Sequence, residues 1–432
     1  MIGASGLLTA ALWGGCWSGI EVSSDPPRPV EAPEPPTERA PTVLFQLPSR
    51  QGITPAPITD GDRDLAQQLA RVRTILHAVV VDHGRDPQNP WAIGHAMLAL
   101  GADTPLTNDA DPVDWLFEQY AVVTELGGTE LVTFPTKRGS IRIEPHTDLI
   151  LKVLTESGQA PDRAVTVEGR RFNLSALYRH SLWRAWIKGD QTGFQGGAFN
   201  DAPWALQGLA AWAPSGLSWS ASGGRAMTMD GLTSAVIEVL GQETGAMTAA
   251  MEAGQLMQKD TRRGLFRYTC GGQHLLQGAA YAVARGFGAN SDQAAICHQL
   301  DLLDWRIDVE LAAIDPHIQD GDAAIKTVLL GQRLKFLGHT LETVHKIAAM
   351  QLCPLEGAHL EASRRVGREL VATVDALSEL SIFEDLERVR TDASLGRWRS
   401  GGSEQIYLDF VGDAAHAVRG IDLATGAGAI RY

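Results

Sequence analysis

The sequence predicts an all-α protein built as an (α/α)6 toroid: a closed ring of helical hairpins with small β-hairpins inserted in its connections. Two observations carry this expectation. From about residue 60 to the end, apolar residues recur at spacings of three and four, in segments separated by Gly, Pro, Asn and Asp. The segments alternate between helices charged on one face and helices apolar nearly all round, as outer and inner members of a hairpin would be. Trp or His also marks the apolar segments at Trp91, His146, Trp204, His274 and His339, with separations of 55, 58, 70 and 65 residues. A unit of about 60 residues carrying one outer and one inner helix is what such a ring repeats.

The bulk composition agrees. The chain has 432 residues, 44% hydrophobic and 20% charged, enough for a large core. Its net charge of −14 repels phosphate backbones, which argues against nucleic acid as a partner. Four cysteines, Cys16, Cys270, Cys297 and Cys353, are too few for a disulfide scaffold and form no C-x-x-C pair. Spacing alone does not fix which of the last three pair.

Three segments are expected: 1–16, 17–59 and 60–432. The first is uncharged and carries Leu7, Leu8, Ala10, Ala11, Leu12 and Trp13 before Gly14-Gly15-Cys16. A short apolar run closing on small residues reads as a signal peptide and is too short to span a bilayer. It resembles a bacterial lipoprotein signal, in which the cysteine, here Cys16, is lipidated and anchors the protein to a membrane. The expected location is the cell envelope, lipid-anchored, or the periplasm or medium. The second segment holds ten of the 21 prolines between Pro26 and Pro57, and reads as an extended leash.

Within the third, the outer helices are expected at 62–80, 111–125, 173–187, 230–256, 290–314 and 357–390. Charges such as Arg71, Glu118, Arg184, Glu238 and Glu369 turn one face to solvent. The inner helices are expected at 90–101, 145–155, 203–213, 272–285, 337–350 and 404–418, where Ala and Gly allow close packing. Two β-hairpins are expected in the connections. One pairs 130–134 with 140–143 around Lys137-Arg138-Gly139. The other pairs 164–167 with 171–172 around Glu168-Gly169.

The stretch Gln191-Thr192-Gly193-Phe194-Gln195-Gly196-Gly197-Ala198-Phe199, followed by Asn200-Asp201-Ala202-Pro203-Trp204, resembles a repeat of the prenyltransferase and terpenoid-cyclase superfamily. A glycine-aromatic-glycine loop leads there into an inner helix of an (α/α)6 toroid. Gly264-Leu265-Phe266-Arg267-Tyr268-Thr269-Cys270-Gly271-Gly272 looks like a worn second copy. The resemblance implies the fold and a central cavity. It implies no activity, because the acidic Asp-rich motif of the cyclases and the Asp-x-Cys zinc pair of the protein prenyltransferases are both absent.

If the inner helices run parallel, their first turns meet at one mouth, where free N–H groups and positive helix ends collect. Three chemistries are then open. In the first, Trp91 and Trp204 stack on a glycan, while His146 or His274 with Tyr268 moves a proton; a hydrolase would instead use Asp201 with Glu144 or Asp148. In the second, Cys270, His274 and His339 hold zinc, with water as fourth ligand. In the third there is no catalysis: a small molecule, glycan, peptide or lipid sits in the cavity, contacted by Trp91, His95, Trp204, Gln207, Gln277 and Glu342. Arg262-Arg263 and Arg397-Trp398-Arg399 are basic spots suited to capturing a carboxylate or phosphate.

Overall fold

The computed structural model describes residues 39–43, 45, 50–257, 269–270, 272–398 and 401–432. The expected signal, Cys16 and most of the proline-rich leash lie outside the described residues, as do Tyr268, Arg262, Arg263 and Arg399. Among the described residues the protein is mostly helical, with five two-stranded antiparallel hairpins. No helix among them is long and apolar enough to cross a membrane.

The first hairpin of helices is α1 (Arg63–His83) and α2 (Pro90–Leu100). Asp62 caps α1 by accepting from the Leu65 N–H, and Asn89 caps α2 by accepting from the Ala92 N–H. Pro90 then occupies the first turn, where its missing N–H costs nothing. The chain continues through α3 (Pro112–Tyr120), α4 (Leu149–Glu156), α5 (Ser175–Arg184), α6 (Ala198–Trp212), α7 (Met229–Glu252) and α8 (Gln273–Ala284). It ends with α9 (Asp292–Asp320), α10 (Ala323–Ala349), α11 (Gly357–Glu379), two short helices α12 (Leu386–Thr391) and α13 (Ala393–Gly396), and α14 (Gly402–Ala424).

Six helices touch in a closed order: α2 meets α4, α4 meets α6, then α8, α10 and α14, and α14 returns to α2. These are the segments expected to be inner. In α6, α10 and α14 nearly every residue of the central turns is buried. The helices expected to be outer pack behind them: α1 against α2 and α14, α3 against α2, α5 against α6, α7 against α6 and α8, α9 against α8 and α10, and α11 against α10. Glycine sets the closest approach. A Cβ on Gly278 of α8 would lie 2.6 Å from the Pro203 carbonyl oxygen of α6, so only glycine lets those backbones meet. A disulfide joins Cys297 on α9 to Cys353 after α10.

Several boundaries differ from expectation. Helix α10 starts at Ala323, well before 337, so His339 sits in its middle and not in its first turn. The segment 357–390 breaks after Glu379, where Ser381 turns left-handed at φ 55°. The segment 111–125 stops at Tyr120, because the chain enters β1 (Val122–Leu126). That strand pairs with β2 (Thr129–Thr133) through Gly127-Gly128, both at positive φ. The expected partner of 130–134 was therefore wrong. The glycine pair makes the tighter turn, and Lys137-Arg138 pair with Ile141-Arg142 in a separate small hairpin, β3 and β4. The hairpin β5 (Ala164–Val167) with β6 (Arg170–Asn173) forms around Glu168-Gly169 as expected. Two further hairpins, β7 (Ile187–Lys188) with β8 (Gln191–Thr192) and β9 (Ser218–Ala221) with β10 (Arg225–Thr228), were not read from the sequence.

Candidate functional site

The inner helices are largely apolar, and five of them carry a stripe of polar residues at helical spacing on the face turned to the other inner helices. On α10 it is Lys335, His339, Glu342 and Lys346; on α14 it is Asp409, Asp413 and His416. Shorter stripes are Trp91 and His95 on α2, Lys152 and Glu156 on α4, and His274 and Gln277 on α8. The stripes face one another and form a polar axis inside the six-helix cluster.

At one end of this axis lies a small hollow walled by imidazoles. His95, His146, His274, His339 and His416 all reach it, together with Trp91 and Trp204. Ring centroids are 3.9 Å apart for His339 and His416, 4.9 Å for His274 and His339, and 5.3 Å for His95 and His416. The space is about 20 Å³, room for one water or one ion. Lys335 sits on its wall between Asp409 at 3.3 Å and Asp413 at 3.7 Å.

Hydrogen bonds fix the tautomers of three of these rings. His95 Nδ1 lies 2.9 Å from the Trp91 carbonyl and His339 Nδ1 lies 2.8 Å from the Lys335 carbonyl. A carbonyl only accepts, so each Nδ1 carries the proton and each Nε2 keeps its lone pair. His416 Nδ1 lies 2.6 Å from a Glu342 carboxylate oxygen, with the same consequence. None of these Nε2 atoms is buried against protein without a partner, and all three rings line the hollow, so the lone pairs open into it. Burial pulls the proton affinity of His95, His274 and His339 well below the usual imidazole range, and neighbouring imidazoles add to the effect. Burial lowers His416 as well, against the opposing pull of Glu342. For these four rings burial favours the neutral form, which is the form that ligates metal or accepts a proton.

Below the hollow, charged groups continue along the axis. Glu342 pairs with Lys346 at 2.6 Å, and Lys346 reaches both oxygens of Glu156 at 2.8 and 3.0 Å. Lys152 meets Glu156 at 3.1 Å, and Gln207 donates to the same carboxylate. Gln277 accepts from Lys346 at 3.1 Å and donates to Thr343 at 2.8 Å. Burial alone would raise Glu156, but Lys152 and Lys346 outweigh it and hold the carboxyl at about 2. Burial likewise opposes ionisation of Glu342, and Lys346 with His416 holds it well below the usual carboxylate range.

The residues singled out in the sequence thus divide. His146, His274, His339, Trp91, His95 and Trp204 meet at the hollow. Gln207, Gln277 and Glu342 lie beneath it, tied into the ionic chain. Asp201 does not line the hollow; it accepts from the Gly196 N–H at 2.7 Å and shapes the loop before α6, with burial raising it to about 6. Glu144 accepts from the Ile150 N–H at the start of α4, and burial, with Asp148 beside it, raises it to about 8. Asp148 pairs with Arg184 at 3.1 Å. Trp91 packs on His95 at 4.0 Å and Trp204 on His274 at 4.4 Å. Both indoles are about 95% buried, at 4% and 5% exposure, so neither presents an open face to a sugar.

Cys270, His274 and His339 do come together, with ligand atoms all within 4.8 Å of one another. Cys270 is disulfide-bonded, however, and a disulfide sulfur lacks the negative charge that makes a thiolate a zinc ligand. The expected cysteine ligand is therefore corrected, and the imidazoles are the available donors. The sequence reading missed His416, Lys346, Lys152 and Glu156. Their signal was the stripe: polar residues every three or four positions on otherwise apolar helices.

No protein-family model, curated protein or solved structure matches this chain.

Proposed function

We propose that the chain is an exported (α/α)6 toroid whose hollow holds one transition-metal ion of the zinc class on the imidazoles of His274 and His339, with His416 stacked beside His339 as the further donor. The closed order of contacts from α2 through α14 supports the ring. The observation that carries the metal is the donor set. His339 and His416 are each held in the ligating tautomer by a backbone carbonyl or a carboxylate, around a space of one-ion size. Metal-bound histidines are oriented in this way by their outer hydrogen bonds. Such an ion would serve as a Lewis acid toward a water or a carbonyl. His95 and Lys335 also line the hollow and would be placed to exchange protons with a bound water. Export is supported by the Cys297–Cys353 disulfide, a bond that persists in oxidising compartments. A membrane anchor through Cys16 rests on the sequence alone and requires that Cys16 is not the partner of Cys270, since Cys297 and Cys353 pair with each other. Mass spectrometry of the N-terminal peptide tests it, an acyl mass supporting the anchor and a Cys270-linked peptide overturning it.

The test of the metal reading is elemental analysis after reconstitution with zinc, and the visible spectrum after reconstitution with cobalt. One equivalent per chain is expected. His339→Ala and His416→Ala should each weaken binding by about 100-fold, while Cys270→Ser should bind like the native protein. Absence of bound metal in the reconstituted native protein would overturn the reading and leave the hollow as a water or small-ligand site.

A further inference from the structure

The other end of the polar axis holds a different space. Helices α2 and α4 start at the hollow and end at a cavity of about 410 Å³, much the larger of the two. Its wall includes Met97, Leu98 and Leu100 from the last turns of α2, Glu156 from the end of α4, Arg419 from α14, and Arg431. A volume in this range suits a small organic ligand.

The charges of that wall decide what kind. Glu156 is already neutralised, because Lys152 lies at 3.1 Å and Lys346 at 2.8 Å. Among the described residues Arg419 makes no ion pair or side-chain hydrogen bond; its charge acts on Glu156 only at longer range, and its Nε is buried without a partner. Arg431 is exposed at the rim, and its guanidinium has no hydrogen bond or ion pair among the described residues. Elsewhere arginines find carboxylates even on the surface, as Arg71 does with Asp375 and Arg365 with Asp308. Two helix C-termini face the cavity and oppose an anion by roughly half a charge each. Two full positive charges outweigh them.

We infer that this cavity binds a small organic oxyanion, a carboxylate or a phosphate monoester, with Arg419 and Arg431 holding the charged end and Met97, Leu98 and Leu100 covering the hydrocarbon. A guanidinium with free N–H groups presents the planar fork that matches either oxyanion. The site stands apart from the imidazole hollow and does not depend on a metal there.

Calorimetric titration of the full chain with hexanoate, hexyl phosphate and hexanol tests it. One or both anions should bind saturably and the alcohol should not; which anion binds tighter identifies the natural headgroup. Arg419→Gln and Arg431→Gln should each weaken binding by about ten- to a hundredfold, the worth of a charge-assisted hydrogen bond. Arg365→Gln, on the surface pair with Asp308, should bind as the native protein does. Arg431 is at the rim, so its variant keeps the test sound if Arg419→Gln unfolds. No binding of either anion by the native protein, equal binding of hexanol, or native affinity in both arginine variants would each overturn the assignment.

Discussion

The two ends of the polar axis are built on opposite principles. At the imidazole end five imidazoles and two indoles crowd a space of about 20 Å³, and three of the imidazoles are held in fixed tautomers by hydrogen bonds. At the arginine end the cavity is about 410 Å³, and among the described residues the guanidinium groups of Arg419 and Arg431 pair with no carboxylate. Between them run His416, Glu342, Lys346 and Glu156, each joined to the next. Removing a group from the tight part should therefore cost stability, while removing one from the open end should cost only binding.

The largest effect is expected at the middle of the chain. Lys346→Met leaves Glu156 and Glu342 facing each other inside the protein with one lysine between them. Breaking a buried ion pair from one side costs about 3–5 kcal/mol, and urea unfolding should show a loss of that size. Lys152→Met should cost less, because Glu156 keeps Lys346 at 2.8 Å. Equal losses in the two variants would mean that Lys346 is not the shared link.

Acid and base should separate the ends next. Glu156, held at about 2, is charged in the folded state and protonates near 4.5 when unfolded. Its stabilisation is present above the unfolded value and is lost as pH falls from about 4.5 toward 2, by roughly 1.4 kcal/mol per pH unit. Glu144, raised to about 8 by burial near the imidazole end, has the reverse sign. Folded protein keeps its proton where unfolded protein has lost it, so its contribution is full below pH 4.5 and falls as pH rises toward 8. Glu156→Gln should flatten the acid limb of a stability–pH curve, and Glu144→Gln the neutral limb. A curve unchanged by either variant would contradict the burial of that carboxyl.

A smaller loss should follow from narrowing the hollow. Gly412 of α14 lies against Trp91, and a Cβ there would sit 2.5 Å from the indole and 3.1 Å from the His95 ring. Gly412→Ala overpacks the wall and should lower stability by about 1–3 kcal/mol. It should also reduce metal uptake, whereas the same substitution leaves the arginine end untouched. Thermal unfolding and the cobalt spectrum measure the two consequences separately.

Much of this comparison was present in the sequence, and the missing part has one cause. The apolar helices and their Trp or His marks are local patterns, readable from spacing of three and four. The hollow does collect those marks, although His339 reaches it from the middle of α10 and not from a first turn. Lys346 was not readable. A lysine is rarely buried, and beside Glu342 on its own helix the second carboxylate that holds it, Glu156, lies 190 residues away in the chain. Trp204 failed in the other direction: an aromatic beside polar residues suggests sugar stacking until His274 is seen to cover it at 4.4 Å. Cys270 and His274 have the spacing of paired ligands, but a redox state is not a property of spacing. The start of α10 was misplaced because Ala323–Leu337 carries few breaks or caps once Asp322 has opened it by accepting from the Ile325 N–H.

The smallest expected change is the sharpest test of the division. Arg431 is exposed and touches no carboxylate, so its charge is already solvated when the cavity is empty. Arg431→Gln should shift unfolding by no more than about 0.5 kcal/mol, the usual range for a surface substitution. At the tight end no such neutral position exists, since His339 and His416 each lose a bonded partner when truncated. A measurable destabilisation by Arg431→Gln would show that the open end also relies on its charges to fold. The distinction between an axis that holds the helices together and a mouth kept free for a ligand would then fail.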